Sequence, residues 1–221
     1  MPTLGPMTRT PAVLPGCEVP GCEQEVATPV GPARTWTQGP YGRAPVLVLG
    51  HGAGGGVSAP DLLAARDAAL AGGVAVVRVE QPWRVAGRRL AEAPARLDQA
   101  WLAVLETLTG PLVVGGRSAG ARVACRTADQ VGAVGVLALG FPLHAPRASR
   151  LDELRRPTAP RLVVQGARDG FGVPEPEPGI AVHVVAGADH AFAVRRKDGR
   201  TAPEVLGEVT AAVAAWLQTL T

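Results

Sequence analysis

The sequence predicts an α/β fold: a doubly wound, mostly parallel sheet with helices on both faces. Three observations support this prediction. The chain has 221 residues, of which 47% are hydrophobic and 19% charged, as expected for one globular domain with a sizeable core. Short apolar runs recur along it and several end in glycine, which is typical of strands buried on both faces of a parallel sheet. Segments with helical periodicity fall between these runs, and this alternation favours right-handed crossovers.

Six apolar runs are predicted to form the parallel strands. They cover residues 44–50, 74–79, 111–116, 133–140, 161–166 and 180–185. Two segments before them, "EQEVATPV" and "ARTWTQ", predict a short antiparallel pair. Ligands bind at the carboxyl ends of the strands in such a sheet, so the loops after the apolar runs are the expected place for a site.

Three segments between and after these runs have the pattern of helices. Pro94 suits the first turn of a helix over 94–109, in which apolar residues form a single stripe. The final segment, 203–220, repeats this pattern, and residues 60–71 predict a weaker, alanine-rich helix. The segment "AGARVACRT" also has the composition of a helix. These helices supply the crossovers that a parallel sheet requires.

Composition sets the domain organisation and excludes several classes of protein. Residues 1–20 are rich in Pro, Gly and Thr and predict a flexible leader, followed by a single domain over 21–221. The leader lacks the apolar region of a signal peptide, and no run approaches the roughly 18 apolar residues of a membrane-spanning helix. The net charge is only +3, and positive and negative residues are interspersed along the sequence. A nucleic-acid partner is therefore not indicated. We expect a cytoplasmic protein that acts without membrane association.

Metal and cofactor sites are not predicted. Cys17 and Cys22 are too far apart for a CxxC motif, and no histidine-rich segment lies near them. Cys125 is expected to lie in a helix as a small apolar residue. The hypothesis developed below requires neither a metal ion nor an organic cofactor.

Ser118 is the candidate nucleophile. Gly116-Arg117-Ser118-Ala119-Gly120 is a G-x-S-x-G motif between a predicted strand and a predicted helix. Such a turn is sharp, and side chains two positions before and after the serine would clash with neighbouring backbone. The motif alone leaves a second interpretation open, a phosphate-binding or merely tight turn between strand and helix.

A serine nucleophile needs a base, and the base needs an orienting carboxylate. Asp169 follows the strand that ends at Gly166, and His190 follows the strand that ends at Val185. Both therefore lie at the carboxyl edge of the sheet, in the order serine, acid, histidine that this kind of fold uses. The alternatives are interpreted as structural or surface residues: His183 within a strand, Asp152 and Glu153 in a polar segment, and Asp189 as a turn residue or a group beside His190.

The oxyanion of an acyl-transfer intermediate needs two backbone donors. One prediction is the N–H of Ala119, at the start of the helix after the serine. The glycine-rich loop "LGHGAGGG" follows an early strand, and we assign the second donor to Ala53, with Gly54 as the alternative. The loop lacks the G-K-[ST] ending of a P-loop, and its histidine, His51, is interpreted as a residue that holds the loop by hydrogen bonding.

From about residue 22 to 221 the sequence resembles the α/β-hydrolase superfamily. The blocks that match are, in order, "HGAGGG", "GGRSAGARVA", "GFPLHAP", "VVQGARDGFG" and "GADHAF". They look most like the small lidless branch that includes a testis-expressed hydrolase-like protein and the hydrolase-like domain of a nonspecific-lethal complex subunit. The resemblance implies the trio Ser118, Asp169 and His190 that the spacing indicates. Members of this branch often have a bulky residue where Ala119 stands.

The segment between the strands 133–140 and 161–166 is too short for a helical lid, so an open site is expected. Four residues are predicted to border a shallow cleft: Phe141, His144, Phe171 and Phe192. Arg117, beside the nucleophile, has two interpretations: it recognises an anionic group of the substrate, or it points away and pairs with a surface carboxylate.

The sequence therefore predicts a serine hydrolase that cleaves a small-molecule ester or thioester through an acyl-enzyme. One alternative is a catalytically silent module of hydrolase fold that binds a protein partner, as some eukaryotic relatives do. Another is a peptidase or amidase. A panel of esters, thioesters and peptidyl amides distinguishes these enzymatic alternatives.

Overall fold

The computed structural model describes residues 22–40, 45–145 and 148–220. The predicted leader, residues 1–20, lies outside these ranges. The strands are β1 (Cys22–Val26), β2 (Ala33–Gln38), β3 (Val46–Gly50), β4 (Val76–Glu80), β5 (Leu112–Arg117), β6 (Gly135–Leu139), β7 (His144–Ala145), β8 (Ala148–Ser149), β9 (Arg161–Gly166) and β10 (Ile180–Val185). The α-helices are α1 (Pro60–Ala71), α2 (Pro82–Val85), α3 (Pro94–Glu106), α4 (Ala119–Thr127), α5 (Leu151–Arg155) and α6 (Ala202–Leu217).

Eight of these strands form one mostly parallel sheet. Their order is β1-β2-β4-β3-β5-β6-β9-β10. The β1–β2 and β2–β4 pairs are antiparallel, and every later pair is parallel. From the edge formed by β1 and β2, the chain enters the centre at β3 and turns back to β4, which lies between β2 and β3. It then crosses to β5 on the other side of β3 and proceeds outward to β10. The predicted doubly wound α/β architecture is confirmed.

Helices cover both faces of the sheet because its central strands are apolar on both sides. Successive residues of one strand enter different cores: Val48 and Val114 pack with the α3 and α4 side, whereas Leu47 and Leu49 pack with the α1 and α6 side. This arrangement explains why the central strands appear in the sequence as continuous apolar runs. Both cores stabilise the same sheet, and the sheet fixes where its loops begin.

The helices begin where the sequence supplies suitable first-turn residues. Pro60, Pro82 and Pro94 each open a helix, where the missing N–H of proline leaves no bond unmade. Helix α6 begins with a capping box, in which Thr201 and Glu204 satisfy each other's backbone N–H groups. The apolar stripe of α3 is buried as predicted.

The predicted strands and helices agree with the structure to within a few residues. The short α2 and the two-residue strands β7 and β8 were not predicted. Only β7, β8 and the five-residue α5 lie between β6 and β9 in the described part of the chain, so no helical domain covers the carboxyl edge there. Within the same described ranges, no helix is both long and apolar enough to span a membrane.

Candidate active site

Ser118 lies in a strained turn between β5 and α4. Its backbone has φ 53° and ψ −107°. A residue with a side chain rarely adopts such a conformation, and the strain costs about 1–3 kcal/mol. The N–H of Ser118 donates to the carbonyl oxygen of Leu139 at 2.9 Å, which ties the turn to the end of β6. The turn holds the serine at the carboxyl edge of the sheet, with the sharp backbone of a nucleophile elbow.

The two glycines of the motif allow β3 to approach this turn closely. A Cβ atom on Gly116 or on Gly120 would overlap the carbonyl oxygen of Gly50. Gly50 ends β3 and pairs with Gly116 in the sheet register. Both positions therefore exclude a side chain for steric reasons, and β3, the turn and α4 form one close-packed unit.

The structure brings together the three residues that the sequence predicts as a triad. The hydroxyl of Ser118 donates to His190 Nε2, with 3.1 Å between Oγ and Nε2. On the other side of the ring, Nδ1 donates to Asp169 Oδ2 at 2.7 Å. The carboxylate is fully buried, whereas the imidazole is 23% exposed. The chain of hydrogen bonds thus runs from a solvent-accessible imidazole to a carboxylate that water does not reach.

Gln165 supports the carboxylate, and the sequence reasoning missed it. Its Nε2 donates to Asp169 Oδ2 at 2.7 Å and to two backbone carbonyls, those of Phe141 and Gly172. Its Oε1 accepts from the N–H of Phe141 at 2.8 Å. Gln165 is completely buried and is the last side chain of β9 before Gly166. The glutamine at the buried end of the strand "RLVVQG" was the feature of the sequence that could have indicated this role.

The loop that carries His190 is organised by its neighbour Asp189. One carboxylate oxygen, Oδ1, accepts from the N–H groups of Ala191 and Ala193, each at 2.9 Å. The backbone N–H of Asp189 donates to the carbonyl of Ala193 at 3.0 Å. These bonds close a tight loop around His190, in agreement with the interpretation of Asp189 as a turn residue.

The predicted oxyanion donors, Ala53 and Ala119, lie in the loop after β3 and at the start of α4. Ala119 is the first residue of α4, where backbone N–H groups have no partner within the helix. Ala53 lies in the loop after β3, and both alanines line the same small cavity. His51 holds this loop: Nδ1 donates to the carbonyl of Gly52 at 2.8 Å, and Nε2 accepts from the N–H of Gln81 at 3.1 Å. Burial lowers the pKa of His51, which agrees with its interpretation as a neutral structural residue.

One of the four predicted cleft residues packs against His190, and a second is joined to it. Phe171 is 40% exposed and packs edge-on against the ring of His190, with 4.7 Å between the centroids. The N–H of His144 donates to the carbonyl of Phe171 at 2.8 Å, and the His144 side chain is exposed. The structure places the other two, Phe141 and Phe192, in the apolar cores instead of at the cleft. Each follows a turn that directs its ring inward, and Phe192 itself has φ 57°.

Arg117 forms an ion pair under the site and does not face an open cleft. Its Nε lies 3.1 Å from Asp61 Oδ2, and Asp61 is a buried residue in the first turn of α1. Its Nη2 donates to the carbonyl of His190 at 3.4 Å. The predicted contact with an anionic substrate group is therefore replaced by a contact that joins the elbow, α1 and the loop of the base. The partner is a buried carboxylate, not the surface carboxylate of the second interpretation.

The other candidate residues lie away from this cluster. His183 contacts Glu208 on α6, and Glu153 binds two arginines of α4. Cys125 is buried in α4, and burial raises its thiol pKa to about 12, so it does not supply a reactive thiolate. In the part of the chain that the structure describes, no three His, Cys, Asp or Glu side chains are grouped as metal ligands.

Several solved structures resemble the chain in fold. An alpha-beta serine hydrolase homologue from Coxiella burnetii has a TM-score of 0.70 at 16% identity, with 89% of this chain and 97% of that chain covered. A serine hydrolase without a lid from Xanthomonas campestris has a TM-score of 0.66 at 19% identity, with 89% and 95% covered. A dienelactone hydrolase from Anabaena variabilis has a TM-score of 0.68 at 16% identity, with 90% and 97% covered. At these identities the likeness concerns the fold.

Sequence comparison assigns the family. Among curated proteins none matches this sequence. The profile of a family described as alpha/beta hydrolase domain matches residues 43–218, which is most of the chain. The matched region contains the sheet from β3 onward, the strained turn at Ser118 and the loops that carry Asp169 and His190. The chain belongs to the alpha/beta hydrolase family.

Proposed function

We propose that this protein is a serine hydrolase that cleaves small esters or thioesters. In this proposal Ser118 is the nucleophile, His190 the general base and then acid, and Asp169 the residue that orients the base. The N–H groups of Ala53 and Ala119 hold the oxyanion. One observation carries the proposal: a strained serine, a histidine and a buried carboxylate are joined by two hydrogen bonds of 3.1 and 2.7 Å.

Acylation follows from this geometry. Asp169 accepts a hydrogen bond from the N–H at Nδ1 of His190, so the lone pair of the ring lies on Nε2 and faces the hydroxyl of Ser118. As Oγ attacks the carbonyl carbon, Nε2 takes its proton, and the imidazolium that forms is stabilised by the buried carboxylate. The carbonyl oxygen becomes an oxyanion, and backbone donors that are already fixed stabilise it without reorganising.

The leaving group and water use the same base. The intermediate collapses when Nε2–H protonates the leaving oxygen or sulfur, and the acyl group stays on Ser118 as an ester. Water then enters on the side of His190, gives its proton to Nε2 and attacks the ester carbon. Collapse of this second intermediate returns the proton to Oγ and releases the acid.

The open carboxyl edge supports a small substrate. Phe171 is exposed beside His190, and the exposed His144 is bonded to the backbone of Phe171. We propose that both contact the leaving group. An ester or thioester is favoured because its leaving group needs less help than an amine, which a peptidase would have to expel. We also place the chain in the lidless branch whose sequence blocks it shares, with the hydrolase-like domains named above.

A fluorophosphonate probe tests this proposal. The probe forms a covalent bond only with an activated serine, and intact mass reports one adduct per chain. We expect one adduct on the wild type and none on Ser118→Ala or His190→Ala. Ser58→Ala is the matched control, because Ser58 is an exposed serine in the loop after β3, and it should label like the wild type.

The outcomes separate the candidate functions. An adduct that persists in Ser118→Ala would place the reactive group elsewhere. No adduct on a folded wild type would favour a silent module that binds a protein partner. Cleavage of peptidyl amides in preference to esters would favour a peptidase or amidase.

A further inference from the structure

A small apolar cavity adjoins the oxyanion side of the proposed site. Ala53 and Ala119, the proposed oxyanion donors, are two of the residues that line it. Its other lining comes from the end of β3, the segment after β4 and the facing sides of α3 and α4. The apolar side chains there are Trp83, Ala91, Leu97, Trp101 and Val123.

The cavity is too narrow for a long chain. The space open to the centre of a water-sized sphere is about 10 Å³. This is close to the minimum that one water molecule needs. Trp83 and Trp101 are each about 1% exposed, so their indole rings are packed walls. The end of a short acyl chain fits this space, whereas an eight-carbon chain would have to displace an indole ring.

Two polar atoms on the lining residues lack a partner among the residues that the structure describes. They are the indole Nε1 of Trp101 and the amide Oε1 of Gln81, and both are buried. The Nε2 of Gln81 donates to the carbonyl of Leu97 at 3.2 Å, which fixes the amide group. An indole N–H only donates and an amide oxygen only accepts. A hydroxyl group both donates and accepts, so it has the chemistry that each of the two atoms needs.

The geometry of acyl transfer assigns this cavity to the acyl chain. Four groups surround the tetrahedral carbon: Ser118 Oγ, the oxyanion, the leaving group and the acyl chain. The leaving group faces His190, which must protonate it, and the oxyanion faces Ala53 and Ala119. Among the described residues, none from the loops of Asp169 and His190 lines the cavity. The acyl chain is the remaining group, and the cavity lies beside the two proposed oxyanion donors, on the side that those loops do not line.

We propose that this cavity binds the acyl group of the substrate and selects a short chain that carries a hydroxyl group. The inference rests on the function proposed above, and it adds the substrate class. The hydroxyl accepts from the indole of Trp101 and donates to the amide oxygen of Gln81. The remaining one or two carbons contact Ala91, Leu97 and Val123.

A series of N-acetylcysteamine thioesters tests this selection, because the leaving group is then constant. The acyl groups are acetyl, hydroxyacetyl, propionyl, 3-hydroxypropionyl and octanoyl. We expect kcat/KM for the better hydroxyacyl thioester to exceed that of the unsubstituted thioester of equal length by at least about tenfold, because the unsubstituted chain leaves two buried groups unpaired. Octanoyl thioester should be the poorest substrate.

Trp101→Phe removes the indole N–H and keeps an aromatic ring. It should lower the preference for the hydroxyacyl chain to near one. Trp216→Phe is the matched control, because Trp216 is a largely buried indole on α6, in the opposite core, and it should keep the wild-type preference. If Trp101→Phe does not fold, Ala91→Val provides a second test: it narrows the cavity and should lower the rates for three-carbon chains relative to two-carbon chains.

The labelling of Ser118 separates failure of this inference from failure of the proposed function. If the probe labels Ser118 but hydroxylated and plain chains react equally, the two polar atoms do not select the substrate and the inference is overturned. A preference for the octanoyl thioester overturns it as well. If Ser118 is not labelled and no thioester is cleaved, the proposed function fails together with it.

Discussion

The proposed nucleophile, Ser118, and its proposed acid–base partners, Asp169 and His190, are held in place by different kinds of interaction. At the elbow, backbone packs on backbone: Gly50 approaches Gly116 and Gly120 so closely that no side chain fits. At the end of β9 and in the loop after β10, side chains hold the backbone: Gln165 and Asp189 each bind several N–H or carbonyl groups. Close backbone packing thus holds Ser118 in its strained conformation, whereas hydrogen bonds hold Asp169 and His190 in position.

Because of this difference, mutations at the turn of Ser118 and mutations around Asp169 and His190 should have different effects. Close packing of backbone on backbone does not tolerate a small change, because a carbon added at Gly116 or Gly120 must move a strand or a helix. A hydrogen-bonded loop can lose one bond and keep its path, with the catalytic side chain slightly displaced. Mutations at the elbow should therefore affect folding and activity together, and mutations in the loops should affect activity more than folding.

The largest effect is expected from Gly120→Ala. Its Cβ would overlap the carbonyl oxygen of Gly50, so α4 must move away from β3 and the elbow cannot form. We expect loss of soluble protein or of all hydrolysis, with a lower thermal midpoint in any protein that folds. Gly207→Ala is the control, because a Cβ at this exposed position of α6 contacts nothing and alanine favours the helix. An active, stable Gly120→Ala protein would contradict the steric account.

Asp169→Asn should abolish most activity while the protein stays folded. Oδ2 accepts from both His190 and Gln165, and Oδ1 accepts from the N–H of Phe171. An amide has one oxygen, so either orientation leaves a donor facing a donor, and the tautomer of His190 is no longer fixed. We expect kcat to fall roughly 10⁴-fold, the typical loss for this substitution in serine hydrolases. The control is Asp152→Asn at an exposed position of α5, and the measurement is ester hydrolysis together with circular dichroism.

Gln165→Met should give an intermediate effect. Methionine has nearly the same length but leaves the N–H of Phe141 and two carbonyls without their partner. Loss of support for Asp169 displaces the base, and a displacement of about 1 Å costs up to roughly 100-fold in rate. We expect a loss of about 10- to 100-fold in kcat with a lower thermal midpoint.

The control for Gln165→Met is Gln130→Met, at an exposed position in the turn after α4. It should change neither quantity. Wild-type kcat in Gln165→Met would show that Asp169 is positioned without the glutamine. This would contradict the claim that hydrogen bonds hold Asp169 and His190 in position.

The smallest effect is expected outside both regions, at Glu153. Burial raises the pKa of its carboxyl group, but the hydrogen bonds and charges of Arg122 and Arg126 outweigh burial, so the pKa lies below its usual value. A lowered pKa in the folded state means that the ion pairs stabilise the protein at neutral pH and that this contribution is lost as the pH falls through the folded-state pKa. Glu153→Gln should cost up to about 1 kcal/mol at pH 7 and leave activity unchanged.

Thermal unfolding of the wild type and Glu153→Gln at several pH values measures this effect. The difference between the two midpoints should be largest near neutral pH and vanish in acid. A difference that grows as the pH falls would show that the sign is wrong.

The sequence was sufficient for the fold and for the meeting of Ser118, Asp169 and His190 at one edge of the sheet, because both depend on local patterns. Apolar runs mark strands, and Asp169 and His190 follow strands that must end at one edge of the sheet. The direction of a side chain after a turn is not local: Phe141 and Phe192 both follow strands, yet they point into the cores. The bonds of Gln165 to Phe141 and the pairing of Arg117 with Asp61 join segments that are distant in the chain. In the sequence, such contacts are indicated only by a polar residue within an otherwise apolar segment, such as Gln165 in β9.

Hydrolysis of p-nitrophenyl acetate, followed by acid quenching and peptide mapping, tests the central claim most directly. The claim predicts that an acetyl group is found on the peptide that contains Ser118, and that Ser118→Ala and His190→Ala release p-nitrophenol at the rate of solution without enzyme. Wild-type release in the Ser118→Ala protein, or an acetyl group on another residue during turnover, would contradict the account.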